Sequence, residues 1–374
     1  MLTILSVIGT RPEAIKLAPV LRELKKYPER VRSLVCVTAQ HREMLDQILD
    51  LFAIRADYDL DIMQPDQGLS QLTARLLLKL APVIRDVRPD WILAQGDTTT
   101  VLVSALTAFY HKVPFAHVEA GLRTGDLDRP YPEELNRRVA DNIASLLFAP
   151  TEENRRTLLR EGVSEGKIRV TGNTVVDALT AIADQPYDRT SGPLADLPTD
   201  RDLVLITAHR RESFGGQFRE ICLALRELAL RFNHDTIQFI YPVHLNPNVR
   251  QPVADILSGI SNLSLIEPVD YKTMVHLMKR SILILTDSGG IQEEAPSLGV
   301  PVLVMRDKTE RPEGVQAGVV RLVGTQRDRI VREASRLLTN PAARATMTTG
   351  VNPYGDGMAS TRIVSALLGY ASSQ

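Results

Sequence analysis

Short apolar runs alternate with longer segments of helical periodicity along most of the chain. In the first half, the predicted strands are Leu2–Ile8, Val31–Thr38, Trp91–Gln95, Phe115–Val118 and Leu146–Phe148. Between them, apolar residues three and four positions apart predict the helices Ala14–Tyr27, Arg42–Phe52, Leu69–Val87 and Thr98–His111. Alternating βαβ units of this kind predict a parallel sheet with helices on both faces.

The alternation stops between about residues 185 and 202, a segment rich in proline that we interpret as a linker. Beyond it, the predicted strands are Leu203–Thr207, Ile237–Pro242, Leu263–Ile266, Ile282–Thr286 and Val300–Val304, and the predicted helices are Phe218–Phe232, Val249–Leu257, Tyr271–Lys279, Ile291–Leu298 and Arg327–Leu338. We therefore expect two α/β domains, 1–185 and 186–374, with a cleft between them. Ligands of open parallel sheets bind at the carboxyl ends of the strands, so the strand-to-helix turns are the places to search for chemistry.

Composition narrows the possible functions. The 374 residues include 44 Lys and Arg against 45 Asp and Glu, a net charge of −1, which disfavours binding to nucleic acid or to a membrane surface. The N-terminal apolar run has no basic leader, and no run approaches the ~20 residues that span a bilayer, so we expect a cytoplasmic protein. Cys36 and Cys222 are too few for a disulfide framework and wrongly spaced for a zinc site.

The turn after the first strand reads GTRPEAIK, from Gly9 to Lys16. Arg11 and Lys16 are placed to reach a negative ligand, although a capped helix start with two solvated cations is an equally good interpretation. The turn is not a Gly-x-Gly-x-x-Gly fingerprint, so the sequence gives no support for a nicotinamide cofactor.

Three carboxylates of the first half follow strands or begin helices. Asp97 lies in QGDTTT, Glu119 in HVEAGLRTGD and Glu133 in YPEELNRR. Each one alone fits a helix cap or a partner of the helix dipole. Together they predict a carboxylate rim, in which neighbouring charges raise proton affinity and allow one group to act as acid and another as base. The nearby His111 and His117 lack the spacing of metal ligands, so we expect no metal.

The turns of the second half are cationic or rich in glycine. TAHRRESFGG carries His209 and Arg210, YPVHLNPN carries His244, and RDKTERPEG carries Arg311. In TDSGGIQEE, Ser288 is expected to cap a helix while Gly289 and Gly290 leave backbone N–H groups open to a phosphate, and Glu293 or Glu294 is expected to accept ribose hydroxyls.

The two halves of the chain are therefore expected to bind different parts of one ligand. A carboxylate about 4 Å from a phosphate oxygen is repelled by roughly 4 kcal/mol at an effective dielectric constant near 20. We expect the diphosphate on the second half and an uncharged group against the carboxylate rim. A nucleotide sugar fits this division.

Taken together, these motifs resemble those of a known family, the bacterial non-hydrolysing UDP-N-acetylglucosamine 2-epimerases. The resemblance runs from Gly9 to about Gly357, in the same order, over the motifs GTRPEAIK, TAQHREMLDQ, QGDTTT, HVEAGLRTGD, TGNTVVDAL, HRRESFG, YPVHLNPNVR, TDSGGIQEEAPSLGVPVLVMRD, TERPEG and NPYGDG. It implies two Rossmann-like domains of the glycosyltransferase-B type, a last helix that crosses back to the first domain, a homodimer and no cofactor.

The resemblance also implies a reaction and its residues. The reaction is reversible inversion at C2, which gives UDP-N-acetylmannosamine through anti elimination of UDP to 2-acetamidoglucal and re-addition. The implied catalytic residues are Asp97, Glu119, Glu133 and His209. The implied contacts to UDP or sugar are Arg11, Lys16, Ser288, Gly289, Gly290, Glu294 and Arg311, with Val269 and Met274 at the uracil. A second UDP-N-acetylglucosamine is implied as activator at Gln40, His41, Arg210 and His244.

Some choices stay open at this stage. The sequence does not say which carboxylate serves which face of C2. Glu43 and Asp128-Arg129 depart from residues common in the family, although no implied catalytic group is lost. A glycosyltransferase on the same fold, a nucleotide-sugar sensor without turnover, and a hydrolysing epimerase that releases N-acetylmannosamine are the alternatives. The carboxylate set argues against the sensor, which needs no groups that handle protons.

Overall fold

The computed structural model describes residues 1–38, 42–64, 67–188, 190, 192–195, 197–232, 235–350 and 352–371. The chain packs into two compact units. Unit 1 contains Met1–Ala178 and Tyr354–Gln374, and unit 2 contains Leu179–Pro353. The segment interpreted as a linker, residues 185–202, thus falls within unit 2.

Unit 1 is built on a parallel sheet that has seven strands among the described residues, in the order β3-β2-β1-β4-β5-β6-β7. The strands are β1 (Leu2–Ile8), β2 (Val31–Val37), β3 (Tyr58–Asp59), β4 (Trp91–Gln95), β5 (Phe115–Val118), β6 (Leu146–Ala149) and β7 (Ile168–Val170). The helices are α1 (Arg11–Leu24), α2 (Arg42–Leu51), α3 (Leu69–Val87), α4 (Thr99–Tyr110), α5 (Glu133–Ile143), α6 (Glu152–Arg160) and α7 (Thr174–Ala183), the last of which continues into unit 2.

Unit 2 contains a six-stranded parallel sheet within the described ranges, in the order β10-β9-β8-β11-β12-β13. Its strands are β8 (Asp202–Thr207), β9 (Ile237–Pro242), β10 (Leu263–Ile266), β11 (Ser281–Thr286), β12 (Val302–Val304) and β13 (Val320–Leu322). Its helices are α8 (Gly216–Arg231), α9 (Pro247–Leu257), α10 (Tyr271–Arg280), α11 (Gly289–Glu294), α12 (Pro312–Gln316), α13 (Arg327–Thr339) and α14 (Pro341–Ala345). Each sheet has the doubly wound order of a Rossmann-like domain, which confirms the predicted fold class.

The strands form where apolar runs are covered on both faces. All five residues of β4 are buried, because helices cover both sides of a parallel sheet. The strands β3, β7 and β13 have two or three residues each, too few for a periodicity to reveal them. The predicted helix Ile291–Leu298 is also divided: α11 ends at Glu294, and a short 3₁₀ helix containing Pro296 follows.

The last described helix, α15 (Ala359–Ala371), packs against α1 in unit 1. The Asp177 carboxylate accepts the N–H groups of Ala359 at 3.2 Å and of Ser360 at 2.8 Å, and so satisfies donors at the start of α15. Farther along the helix, the Tyr370 ring meets Trp91 edge to face, with 5.0 Å between ring centres. No helix in the part of the chain that the structure describes is long and apolar enough to cross a membrane.

Candidate active site

The first turn of unit 1 is closed by the buried carboxylate of Glu13, a residue with no predicted role. Glu13 accepts N–H groups from Gly9 at 2.5 Å and Thr10 at 3.1 Å, and the Thr98 hydroxyl at 2.5 Å. Burial, helped by the charge of Asp97, raises the pKa of Glu13 to about 7 against these hydrogen bonds. Gly9 is required because a Cβ there would overlap Thr100. Glu13 thus joins the GTRPEAIK turn to the residue next to Asp97.

Lys16 and Glu119, both predicted site residues, form an ion pair. Lys16 Nζ lies 2.5 Å from Glu119 Oε2, and Gln95 Nε2 donates to the same oxygen at 2.6 Å. Glu119 has a φ of +71°, a conformation that residues other than glycine rarely adopt. Such backbone is retained mainly where surroundings demand it, often at functional sites. Arg11, half-buried, is the first residue of the neighbouring helix α1.

Asp97 follows β4 but does not cap α4, whose N-cap is Thr98. Instead, Arg137 donates from Nη1 to Asp97 Oδ2 at 2.8 Å, and Asn136 Nδ2 donates to the Asp97 carbonyl at 2.8 Å. Both donors lie on α5, which begins at Glu133. Glu133 Oε2 is buried and has no hydrogen-bond partner in the described ranges. Asp97 and the start of α5 are therefore held together within unit 1.

His117 supports the same sheet edge from inside β5. Its Nδ1 lies 2.6 Å from Asp141 Oδ1, and its Nε2 lies 2.7 Å from the Gly96 carbonyl oxygen. Burial lowers the pKa of His117, but the charge and hydrogen bond of Asp141 outweigh burial and raise it. The Gly96 carbonyl and the Asp141 carboxylate are both acceptors, so the form of His117 that satisfies both contacts is the doubly donating imidazolium. The described residues contain no group of three His, Cys, Asp or Glu side chains suited to a metal ion.

In unit 2, Asp287 organises the turn after β8. This fully buried carboxylate follows β11, and its Oδ2 accepts the N–H groups of His209 and Arg210, both at 2.7 Å. The Thr207 and Thr286 hydroxyls at the ends of the two strands are 2.6 Å apart. Asp287 lies in the TDSGG motif. It can bind the turn after β8 because β8 and β11 are neighbouring strands, which the motif alone does not indicate.

His209 and His244, from different turns of the sequence, stack with 5.2 Å between ring centres and 9° between planes. Burial lowers the pKa of His209, and the nearby His244 and Arg210 lower it further, against the raising effect of Asp287. The neutral imidazole is therefore favoured near neutral pH. His244 Nδ1 accepts the Asn246 N–H at 3.1 Å, which fixes its ring.

Two guanidinium groups lie over the start of α11. A Cβ built on Gly289 would lie 3.2 Å from Arg210 Nη2 and 3.1 Å from Arg311 Cζ. Arg311 is oriented by Glu293, whose Oε1 accepts its Nε at 2.7 Å. Because the first N–H groups of a helix have no intrahelical acceptor, Gly289 and Gly290 add donors to the two cations. This arrangement suits an anion such as a diphosphate.

The expected serine cap is not formed. Ser288 is the N-cap of α11, but its side chain makes no capping hydrogen bond, and its own N–H donates to Thr286 Oγ1 at 2.9 Å. Nearby, buried Glu294 accepts the Tyr271 hydroxyl at 3.5 Å, which links it to the start of α10. Met274 on α10 and Val269 just before it are half-buried. Gln40 and His41 lie outside the described residues.

Comparison with known proteins decides the family. A model of the family described as UDP-N-acetylglucosamine 2-epimerase matches residues 22–368. The chain belongs to this family. A UDP-N-acetylglucosamine 2-epimerase from Yersinia pestis is 56% identical over 97% of this chain and 98% of its own length. The enzyme is accordingly an epimerase of the isomerase class, as the sequence predicted.

Solved structures of the family agree with the fold. The UDP-N-acetylglucosamine 2-epimerase of Neisseria meningitidis, solved with UDP-N-acetylglucosamine bound, is 48% identical, covers 98% of this chain and 100% of its own, and superposes with a TM-score of 0.89. The Methanocaldococcus jannaschii epimerase, solved with UDP-N-acetylglucosamine and UDP, is 35% identical over 98% of this chain and 99% of its own, with a TM-score of 0.80.

Proposed function

We propose that the enzyme interconverts UDP-N-acetylglucosamine and UDP-N-acetylmannosamine by eliminating UDP and adding it back. The observation that carries the proposal is the separation of chemistry between the units. Asp97, Glu119 and Glu133 gather at one sheet edge of unit 1, whereas Arg210 and Arg311 lie over the start of a helix in unit 2. The Neisseria meningitidis relative was solved with such a ligand bound, the nucleotide sugar UDP-N-acetylglucosamine.

In the proposed elimination, a carboxylate of unit 1 takes the C2 proton. The electron pair of the C2–H bond forms the C1=C2 double bond of 2-acetamidoglucal, and the C1–O bond breaks with its electron pair leaving on UDP. Re-addition returns a proton to the other face of C2 while the UDP oxygen attacks C1. The C2 proton is only weakly acidic, so stabilising the departing UDP is essential.

Unit 2 supplies that stabilisation in the proposal. Arg210, Arg311 and the N–H groups of Gly289 and Gly290 neutralise the diphosphate as negative charge develops on it. His209, favoured as a neutral imidazole, is proposed to stabilise the departing phosphate oxygen through a hydrogen bond from its ring N–H, with no proton transferred. Glu294 is proposed to accept ribose hydroxyls, with Val269 and Met274 beside the uracil.

The test is an incubation of the enzyme with UDP-N-acetylglucosamine in deuterated water, followed by NMR. We expect deuterium at C2 in both epimers and the nucleotide retained on each. Stoichiometric release of free N-acetylmannosamine would indicate the hydrolysing reaction instead. Tight binding without label or epimer would indicate a sensor, and transfer of the sugar only when an acceptor is added would indicate a glycosyltransferase.

The predicted activation by a second UDP-N-acetylglucosamine gains support from one contact. His244, an implied activator residue, stacks on the implied catalytic His209, so a ligand that moves one ring also affects the other. We expect a sigmoidal dependence of the rate on UDP-N-acetylglucosamine, and His244→Ala to make it hyperbolic. A hyperbolic curve for the wild-type enzyme would contradict this part of the proposal.

Homodimer formation is proposed from an apolar surface of unit 1. Leu78 on α3 and Phe109 and Tyr110 at the end of α4 are exposed, and the two helices pack side by side. Exposed apolar patches commonly mark protein interfaces. Sedimentation should therefore give a dimer that Phe109→Glu with Leu78→Glu converts to a monomer.

The cytoplasmic location and a role in cell-surface polysaccharide synthesis remain predictions.

A further inference from the structure

A buried chain of charges connects α5 to Asp97. It begins at Glu134, a fully buried carboxylate that accepts N–H groups from Thr124 at 3.0 Å and Gly125 at 3.3 Å. Arg137 Nη2 at 3.0 Å and Arg138 Nε at 3.2 Å complete its partners. Burial raises the pKa of Glu134, but the two N–H bonds and Arg137 outweigh burial and lower it. The ionised form of Glu134 is therefore favoured, and its carboxylate anchors Arg137.

Arg137 links Glu134 to Asp97. Its side chain is 5% exposed, with Nη2 on Glu134 and Nη1 on Asp97 Oδ2 at 2.8 Å. The planar guanidinium spans two carboxylates in a fixed geometry, which an ammonium group cannot do. Asn136, one residue earlier, holds the Asp97 carbonyl. Both the side chain and the backbone of Asp97 are thus fixed by consecutive residues of one helix.

Stability alone does not explain this arrangement. A buried ion pair is often no better for stability than apolar side chains of similar volume, and Glu134 is already bound to two N–H groups and to Arg138. Arg137 nevertheless reaches on to Asp97, whose side chain is 31% exposed at the sheet edge. An adjacent cation favours the ionised form of a carboxyl group. A group that is to accept a proton must be ionised beforehand.

We propose that Arg137 is a positioning residue that holds Asp97 as a carboxylate, in one orientation, ready to accept a proton during the epimerisation. The inference rests on the proposed function, since it concerns the proton transfer at C2. Arg137 itself acts only through Asp97, and Glu134 acts only through Arg137. The two residues belong to the YPEELNRR motif but have no role assigned by the family resemblance.

The test compares two adjacent arginines. Arg137→Met removes the bond to Asp97, whereas the matched control Arg138→Met removes a cation from the same Glu134 and leaves Asp97 untouched. We expect Arg137→Met to lower kcat about a hundredfold, with the KM for UDP-N-acetylglucosamine and the Kd for UDP changed less than about threefold. Arg138→Met should lower kcat less than about threefold.

Two further variants keep the proposal testable if Arg137→Met folds poorly. Arg137→Lys retains a cation beside Glu134 but cannot span both carboxylates, so we expect kcat to fall about tenfold with unchanged UDP binding. In an Asp97→Asn background, Arg137→Met should lower kcat by less than about a further threefold, because the carboxylate that Arg137 orients is already gone.

Specific results would overturn the proposal. Wild-type turnover in Arg137→Met, an equal loss in Arg138→Met, or a full additional loss in the Asp97→Asn background would each exclude a role through Asp97. A weaker affinity for UDP in parallel with kcat would also overturn the proposal, because the effect of Arg137 would then reach beyond Asp97. Failure of the proposed function is distinct, because then the wild-type enzyme itself would place no deuterium at C2.

Discussion

In unit 1 two of the acidic side chains at the sheet edge are held by a cation of the same unit: Lys16 pairs with Glu119, and Arg137 pairs with Asp97. In unit 2 the buried acid Asp287 binds backbone N–H groups at the corresponding edge, and buried Glu293 holds Arg311, one of the two arginines over Gly289. The two sheets share one topology and use equivalent turns. The same fold thus presents prepared carboxylates in one unit and prepared cations in the other.

This contrast shows where specificity resides in a doubly wound fold. The parallel sheet decides only that turns converge at the carboxyl ends of the strands. Whether such an edge handles protons or binds an anion depends on a few residues one or two positions beyond each strand. The contrast can be tested by changing one kind of group at a time and measuring turnover and UDP affinity separately.

The largest expected effect comes from the carboxylates of unit 1. Asp97→Asn and Glu119→Gln should each lower kcat about a thousandfold, about 4 kcal/mol, because in the proposed mechanism a neutral amide can neither accept nor return the C2 proton. The Kd for UDP, measured by calorimetry, should stay within about twofold. Glu153→Gln on the exposed face of α6 is the control and should behave like wild type. A loss of UDP affinity in either site variant would break the division between the units.

The next effect concerns stability and involves Glu13. Its pKa is raised from 4.5 to about 7 on folding, so its contribution to stability is complete below pH 4.5 and is lost as the pH rises through 7. Glu13→Gln removes this titration while keeping an oxygen for the two N–H groups. Relative to the wild type, the variant should gain roughly 2 to 3 kcal/mol in unfolding free energy between pH 5 and pH 8.

Urea unfolding at several pH values measures this difference. Glu153→Gln, whose carboxylate is exposed, again serves as the control and should show no change with pH relative to the wild type. A constant difference between Glu13→Gln and the wild type at all pH values would mean that Glu13 is not held protonated. The interpretation of Glu13 as a buried acid that stays protonated in the folded protein would then be wrong.

The smallest of these effects is on binding in unit 2. Arg311→Met removes a guanidinium from Gly289 and should weaken UDP binding about thirtyfold, about 2 kcal/mol, with a smaller change in kcat at saturation. Arg327→Met is the control. It removes an arginine at the start of α13 that pairs with Glu227 of α8, and it should leave UDP binding unchanged. Unchanged UDP affinity in Arg311→Met would show that the two guanidinium groups over the start of α11 do not bind the diphosphate.

Much of the fold could be predicted from the sequence, because apolar runs covered on both faces leave a strong pattern. The order of chemistry-bearing turns was also readable, since Asp97 and Glu119 each follow a predicted strand. Short edge strands such as β3 could not be found, because two residues carry no periodicity. Pro296 could have signalled the change from α11 to a 3₁₀ helix, since proline removes a helical hydrogen bond.

The partners of the site residues were the part that sequence could not provide. Arg137 lies forty positions from Asp97, and Asp287 lies far along the chain from His209. Such contacts depend on which strands become neighbours, and β8 pairs with β11 only once the whole sheet has formed. Local patterns show which residue types stand at a turn, but a long-range partner decides whether each is ionised, neutral or held in place.

The helix α15 has a consequence for how the protein is made. It belongs to unit 1 although it follows all of unit 2 in the chain, and Asp177 binds its first N–H groups. During translation, unit 1 emerges from the ribosome first but lacks this helix until residues beyond 354 have been synthesised. While unit 2 is being synthesised, the surface of α1 that packs against α15 therefore stays uncovered. An interrupted message therefore yields a first unit without its closing helix.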